Sequence, residues 1–333
     1  MFAIERRRSF QRCLVSLALI LLTAVLPKIG YPQVARMEVL SLQSRTLTDQ
    51  EFLVGGIEGQ PVTLGGELRL PRSGTDRLPV VILLHASGGI GSYETDWERD
   101  LLAMGVATFV VDSFSGRGIS SVINDQSLLG RFAQTEDAYR AFELLEKHPR
   151  IDPTRIVLMG FSRGGTSTLY AALKRFRTMH GPASRREFAG YLAFYPACNV
   201  AYHDDEDITG KPVRIFHGEA DDYVPIAPCR AYVERLARKQ GYDVKLTAYP
   251  DALHLFDWQA VKAPTILPKA QTTRNCRLAE ADNGEIINVK MAQPFTYSDA
   301  CVELGPSIGY NEKASAEARE AVRQFIAALI KTQ

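Results

Sequence analysis

The chain has 333 residues, 46% of them hydrophobic, enough to bury a large core in one α/β domain or two smaller ones. Lys and Arg number 39 against 38 Asp and Glu, a net charge of +1. That balance argues against nucleic acid as a partner, which calls for a basic stripe, and against a membrane surface.

The only basic stretch is the start, MFAIERRRSFQR, and an apolar run from Cys13 to Leu26 follows it. The run is shorter than the ~20 residues of a membrane span, and its basic flank fits an export signal over residues 1–35. Arg7, Arg8 and Phe10 match the twin-arginine pattern, and an ordinary basic leader fits as well. Ala35 is the candidate last residue removed, with an uncleaved anchor as the alternative. The expected location is periplasmic or secreted, with residues 36–333 as one domain.

Export changes how the cysteines read. Cys13 leaves with the signal, and Cys198, Cys229, Cys276 and Cys301 remain. An even number in an oxidising compartment predicts disulfides. Cys276–Cys301 is the favoured pair because it is closest in sequence, which leaves Cys198–Cys229. Four buried free thiols are the alternative. Closing the first loop would stabilise by roughly 3 kcal/mol. No C-x-x-C occurs, so neither a zinc ribbon nor a dithiol redox pair is suggested.

After the signal, EFLVGGIEGQPVTLGGELRLP mixes β-formers with Gly and Pro and predicts antiparallel strands with a turn. LPVVILLHA, from Leu78, is a continuous apolar run, the pattern of a parallel strand covered on both faces. YETDWERDLLAMG predicts a helix ending at Gly105, and VATFVVDSF a second buried strand. TEDAYRAFELLEKHP predicts a helix with Thr135 as a cap and Pro149 as its stop. RIVLMGF is the third strand and runs into FSRGG and a helical stretch. FAGYLAFYP, PVRIFHGEAD and DVKLTAYP are further strands. CRAYVERLARKQG and SAEAREAVRQFIAALI are helices. Alternating buried strands and helices predict a mostly parallel, doubly wound α/β sheet with helices on both faces. Asp257–Asn311 breaks the alternation, an insertion at about 258–311 that holds Cys276 and Cys301. It reads either as a disulfide-braced flap over the site or as a surface decoration.

Gly160-Phe161-Ser162-Arg163-Gly164 matches G-x-S-x-G between a strand and a helix, the setting of a nucleophile elbow. Gly160 and Gly164 are expected to be steric necessities of the turn. A serine needs a base, and the base an orienting acid. In this topology the acid follows the nucleophile in the chain and the histidine comes last. Asp221 and Asp222 follow the strand in PVRIFHGEADDYVP, and His254 follows the last strand. No other histidine lies after Asp221. The N–H of Arg163, at the helix start, is one expected oxyanion donor. The second belongs to LLHASGGIGS, with Ala86 the candidate and Ser87 the next. FSGRGISS lacks the last glycine of a dinucleotide fingerprint. HDDED, His203 to Asp207, reads as a solvated acidic loop more readily than a metal site. No metal or cofactor is expected. The side chains of Arg163 and Arg117 are candidates to meet an acidic substrate, or else salt-bridge partners at the surface.

GFSRGG, HGEADDYVP and YPDALHLFD, together with VVILLHASGG and VVDSFSGRG, resemble the motif blocks of the dienelactone hydrolase family of the α/β hydrolases. The resemblance implies an α/β-hydrolase fold and hydrolysis of a small-molecule ester or lactone. It also favours Asp221, the first of the pair, as the acid. The founding enzymes carry cysteine at the elbow where this chain has Ser162, and they lack the insertion and the signal. The resemblance is therefore to an exported branch with a serine nucleophile. A prolyl-oligopeptidase-type peptidase and a non-catalytic secreted protein on the same scaffold are the competing readings.

Overall fold

The apolar runs predicted as strands do form one sheet, and its order explains where the site lies. The computed structural model describes residues 34–239 and 241–331. In chain order the sheet strands are β1 (Arg36–Thr46), β2 (Gln60–Leu70), β3 (Leu78–Leu84), β4 (Ala107–Asp112), β5 (Ile151–Phe161) and β6 (Gly190–Phe194). After a two-residue strand, β7 (Val200–Ala201), come β8 (Val213–Gly218) and β9 (Val244–Tyr249). The eight-stranded sheet runs β1-β2-β4-β3-β5-β6-β8-β9. β1 and β2 are antiparallel to each other, and β2 is antiparallel to β4; from β4 to β9 every pair is parallel.

The helices are α1 (Asp49–Leu53), α2 (Ser92–Ala103), α3 (Ala133–Leu145), α4 (Arg163–Tyr170), α5 (Lys174–His180), α6 (Ala227–Ala237) and α7 (Glu312–Lys331). Successive residues of a strand face opposite sides, so one apolar run feeds two cores. Val80, Ile82 and Leu84 of β3 pack with Tyr139 and Phe142 of α3, Tyr170 of α4 and Tyr232 of α6. Val81 and Leu83 pack with Trp97 and Leu101 of α2 and Val322 and Phe325 of α7. This is the doubly wound α/β-hydrolase architecture expected from the sequence.

Three expectations are corrected. EFL, expected in a strand, closes helix α1, because Thr48 and Glu51 form a capping box. The Thr48 hydroxyl accepts from Glu51 N, and Glu51 Oε2 accepts from Thr48 N at 2.8 Å. The antiparallel partners of β2 are instead β1, which precedes this stretch, and β4, which follows it. Thr135 does not cap α3: the helix starts at Ala133 and Thr135 is buried within its first turn. The helical stretch after the elbow breaks at Ala171–Leu173. There the 207–209 loop takes the backbone groups, Thr209 N donating to Ala172 O and Lys174 N to Asp207 O.

Asp257 opens the predicted insertion but belongs to the core, where it accepts from Trp97 Nε1 and Tyr195 Oη, both at 2.7 Å. The rest is built of strands of two or three residues. One of them, Leu278–Glu280, pairs in parallel with β7 and so joins the insertion to the loop after β6. Disulfides join Cys276 to Cys301 and Cys198 to Cys229. Two such bonds fit a periplasmic or extracellular compartment. Residues 1–33, with nearly all of the predicted signal, lie outside the described residues; Ala35 N donates to Leu70 O beside β1. Among the described residues no helix is long and apolar enough to cross a membrane.

Candidate active site

β5 ends in the centre of the sheet, and Ser162 stands just beyond its C-terminal end. Its backbone is strained, with φ 53° and ψ −111°. Its N–H is fixed to Phe194 O at the end of β6, at 3.0 Å. The glycines are steric. A Cβ on Gly160 would lie 2.2 Å from Gly164 O, and one on Gly164 would lie 2.3 Å from Leu84 O of β3. Gly165 is equally constrained, with Phe194 O at 2.3 Å. The sequence reading assigned roles to the first two alone.

The loops after β8 and β9 bring the other two residues to the serine. His254 Nε2 lies 2.8 Å from Ser162 Oγ, and His254 Nδ1 lies 2.7 Å from Asp221 Oδ2. A carboxylate only accepts, so Nδ1 carries the proton and Nε2 is left to accept from the serine hydroxyl. Asp221 Oδ1 accepts from Tyr223 N at 2.9 Å and Val224 N at 2.7 Å, which fixes the carboxylate from the far side. Asp222 points elsewhere, accepting from Ser307 N at 2.8 Å and facing Arg274. Gly218 lets the two loops meet: a Cβ there would lie 2.1 Å from Ala252 O.

Several neighbours escaped the sequence reading. The His254 ring lies between the rings of Tyr195 and Tyr223, at centroid distances of 4.7 and 4.8 Å. Tyr195 is held in turn by Asp257, whose pKa burial pushes up. His217 is buried, with Nδ1 3.9 Å from Asp221 Oδ2, and burial pushes its pKa down, so it stands beside the acid as a neutral ring. His217, Tyr223 and Asp257 stand within the same short blocks as Asp221 and His254, but only the fold shows what their side chains touch.

The loop after β3 corrects one expectation. The N–H of Ala86 donates to Tyr93 Oη at 3.1 Å, so it is spent inside the protein. The next residue, Ser87, lines the cleft with Ser162 and Arg163, and its N–H has no partner among the described residues. Arg163 N–H, at the first position of α4, has no acceptor within the helix. Behind the loop, His85 is buried. Its Nδ1 meets Ala86 O at 2.8 Å and its Nε2 accepts from Ser113 N at 3.2 Å, which fixes the loop's path.

The cleft comprises about 680 Å³ of non-protein space, part of it open to solvent. One wall comes from the insertion, through Gln271, Thr272, Thr273 and Tyr297. Thr272 Oγ1 donates to Tyr223 O at 2.6 Å, and Gly309 N donates to His254 O at 3.0 Å. The insertion is therefore not a remote decoration; it is a disulfide-braced wall of the cleft, bonded to the loops that carry Asp221 and His254.

Of the two arginines proposed from the sequence, Arg163 lines the cleft and Arg117 does not. Arg117 is buried in a two-pronged pair with Asp137, at 2.8 and 2.9 Å. The Arg163 guanidinium is also buried and donates to Gln126 Oε1 at 3.0 Å and Gly130 O at 2.7 Å. Neither is a surface salt bridge. In HDDED, Asp205 and Glu206 face Arg235, and Asp207 faces Lys174. Among the described residues no group of three His, Cys, Asp or Glu is placed to hold a metal.

The profile of the dienelactone hydrolase family matches residues 65–330. Two curated relatives are each 27% identical. The "Probable 2-oxo-3-(5-oxofuran-2-ylidene)propanoate lactonase" of Bradyrhizobium sp aligns over 193 residues, 55% of this chain and 75% of that protein. The "Uncharacterized peptidase YuxL" of Bacillus subtilis (strain 168) aligns over 137 residues, 34% of this chain but only 20% of its own length. Among solved structures, the dienelactone hydrolase-like promiscuous phosphotriesterase P91 from metagenomic libraries is 17% identical. Its TM-score is 0.56, over 88% of this chain and 98% of that one, a likeness of fold.

Proposed function

We propose that the chain, a member of the dienelactone hydrolase family, is a serine enzyme that opens a carboxylic ester or lactone through an acyl-enzyme. The observation that carries this reading is the continuous hydrogen-bond chain Asp221–His254–Ser162, at 2.7 and 2.8 Å. Ser162 Oγ attacks the carbonyl while His254 Nε2 takes its proton. Asp221 keeps the imidazole in the required tautomer and stabilises the imidazolium. The N–H groups of Arg163 and Ser87 receive the negative charge that forms on the carbonyl oxygen. His254 then returns the proton to the departing alkoxide. Water, deprotonated by the same imidazole, hydrolyses the acyl-enzyme. The chemistry calls for no cofactor.

The similarity to a lactonase supports a small ester or cyclic ester as substrate. The two disulfides support an exported enzyme with residues 1–35 as its signal and 36–333 as the mature domain. Cell fractionation with the intact mass of the mature chain tests that assignment. The mechanism is tested by labelling with a fluorophosphonate probe and by turnover of p-nitrophenyl butyrate. Wild type should react with both and Ser162→Ala with neither; an equally active variant would end the reading. The match to a peptidase supports a second reading, and a panel in which peptides turn over faster than esters would reverse the ranking.

A further inference from the structure

We propose that Gln126 is the positioning residue of the oxyanion hole, acting through the side chains of the two residues whose N–H groups form it. The proposal rests on the serine-hydrolase reading above. Gln126 sits in a short turn, Gln126–Leu128, between β4 and α3. Its Oε1 accepts from Arg163 Nη1 at 3.0 Å, and its Nε2 donates to Ser87 Oγ at 3.2 Å. One primary amide therefore bridges the residue after the nucleophile and Ser87 in the loop that follows β3. The two are far apart in sequence and meet only at the cleft.

The chemistry suits an amide. It offers a donor and an acceptor side by side, which neither a carboxylate nor a hydrocarbon chain of that length can do. The main chain that carries this side chain is itself held. Gln126 N donates to Gln271 Oε1 at 2.8 Å, and Gln271 N donates to Ile123 O at 3.0 Å. Arg163 also reaches Leu129 O and, at 2.7 Å, Gly130 O, so its guanidinium ties the elbow to the rest of the same loop. The net effect is a frame that spans the ends of β3, β4 and β5 and fixes Ser87 against Arg163. Oxyanion donors work by being in place before charge develops, and losing one costs about 10²–10³-fold in kcat. Losing only the frame should cost less.

The test is Gln126→Ala, assayed with p-nitrophenyl butyrate and with an alkylboronic acid that mimics the tetrahedral intermediate. We expect kcat to fall about 10–100-fold with KM changed less than about threefold, and boronate affinity to fall in parallel with kcat/KM. Ser87→Ala removes the hydroxyl that Gln126 holds and leaves the N–H in place. It should lower kcat in the same sense, and the double variant should lose less than the sum of the singles in free-energy terms. An unchanged kcat in Gln126→Ala, a rise in KM at constant kcat, or strict additivity would overturn the proposal. If Gln126→Ala does not fold, Ser87→Ala decides by itself, through loss or retention of kcat at unchanged KM. Ser162→Ala separates the two readings. Turnover that survives it defeats the serine mechanism, whereas a dead Ser162→Ala beside a fully active Gln126→Ala defeats only this inference.

Discussion

The two sides of the cleft are held by different physics. On one side the elbow is clamped by backbone contacts within a parallel sheet: Ser162 N on Phe194 O, and Gly164 pressed against Leu84 O. On the other side, the insertion has strands of only two or three residues and no continuous core of its own. A disulfide braces it internally, and a few hydrogen bonds hold it to the loops of Asp221 and His254. The first side tolerates almost no added atom. The second should soften in steps as single bonds are removed. That contrast separates chemistry, which needs the elbow fixed, from the shape of the substrate wall, which can differ without disturbing it.

The largest effect should come from the elbow. Ser162→Ala should lower kcat by about 10⁴-fold or more, since removal of a nucleophile leaves only binding and the oxyanion hole. Its circular dichroism spectrum and melting temperature should match wild type. Gly164→Ala should cost at least about 3 kcal/mol in chemical denaturation, because the new Cβ meets the main chain of β3 rather than a side chain that can move. If that variant were as stable as wild type, the account of the elbow as sterically clamped would be wrong.

Acid and the loss of one disulfide should then discriminate between the two sides. His180 is buried, its Nε2 facing Phe52 O at 2.8 Å and its Nδ1 facing Glu136 at 3.6 Å, and burial pushes its pKa down to about 4. In the unfolded chain it protonates near 6.5, so the unfolded state gains protons first and native stability falls as pH drops from about 6.5 to 4. His180→Gln, which keeps a donor for Phe52 O, should remove that cost. Its stability relative to wild type should rise by up to about 3 kcal/mol across the window, measured by urea denaturation at each pH. Residues 258–311 contain no histidine and should contribute nothing of this kind.

On the other side the bond to remove is Cys276–Cys301, by substitution, since reductant would open Cys198–Cys229 as well. The Cys276→Ser, Cys301→Ser pair should lose roughly 3 kcal/mol or less by loop-closure entropy, with fluorophosphonate labelling of Ser162 retained. Loss of labelling in the folded variant would mean that the insertion governs the chemistry as well as the wall. The smallest effect is expected for Thr272→Val, which deletes the 2.6 Å bond to Tyr223 O. About 1 kcal/mol, or roughly fivefold in kcat/KM, is the expected scale.

How far the site was legible follows the same division. The parallel strands could be read because a run covered on both faces is apolar at every position, as Leu78–Leu84 is. β1 and α1 were harder, since β1 is an edge strand with exposed positions and α1 is a single capped turn. Ser162, Asp221 and His254 stood in the order and at the strand ends that the topology requires. Their contact, however, spans separations of 33 and 92 residues that no local pattern encodes.

By itself the sequence determined the layered α/β architecture, the glycine-bounded turn at Ser162 and the identity of the one histidine able to follow the acid. The first rests on periodicity, which acts between near neighbours in the chain, and the other two on a short motif and on chain order, which are written in the sequence. Only the tertiary structure decided that Ala86 spends its N–H on Tyr93, while the Ser87 N–H at the cleft has no partner among the described residues. It also placed Arg117 with Asp137 in the interior and made the insertion a wall bonded to the acid and histidine loops. Each of those outcomes depends on which polar groups find partners once distant segments are packed. Burial makes such pairing obligatory, and the chain's local pattern does not choose the partner.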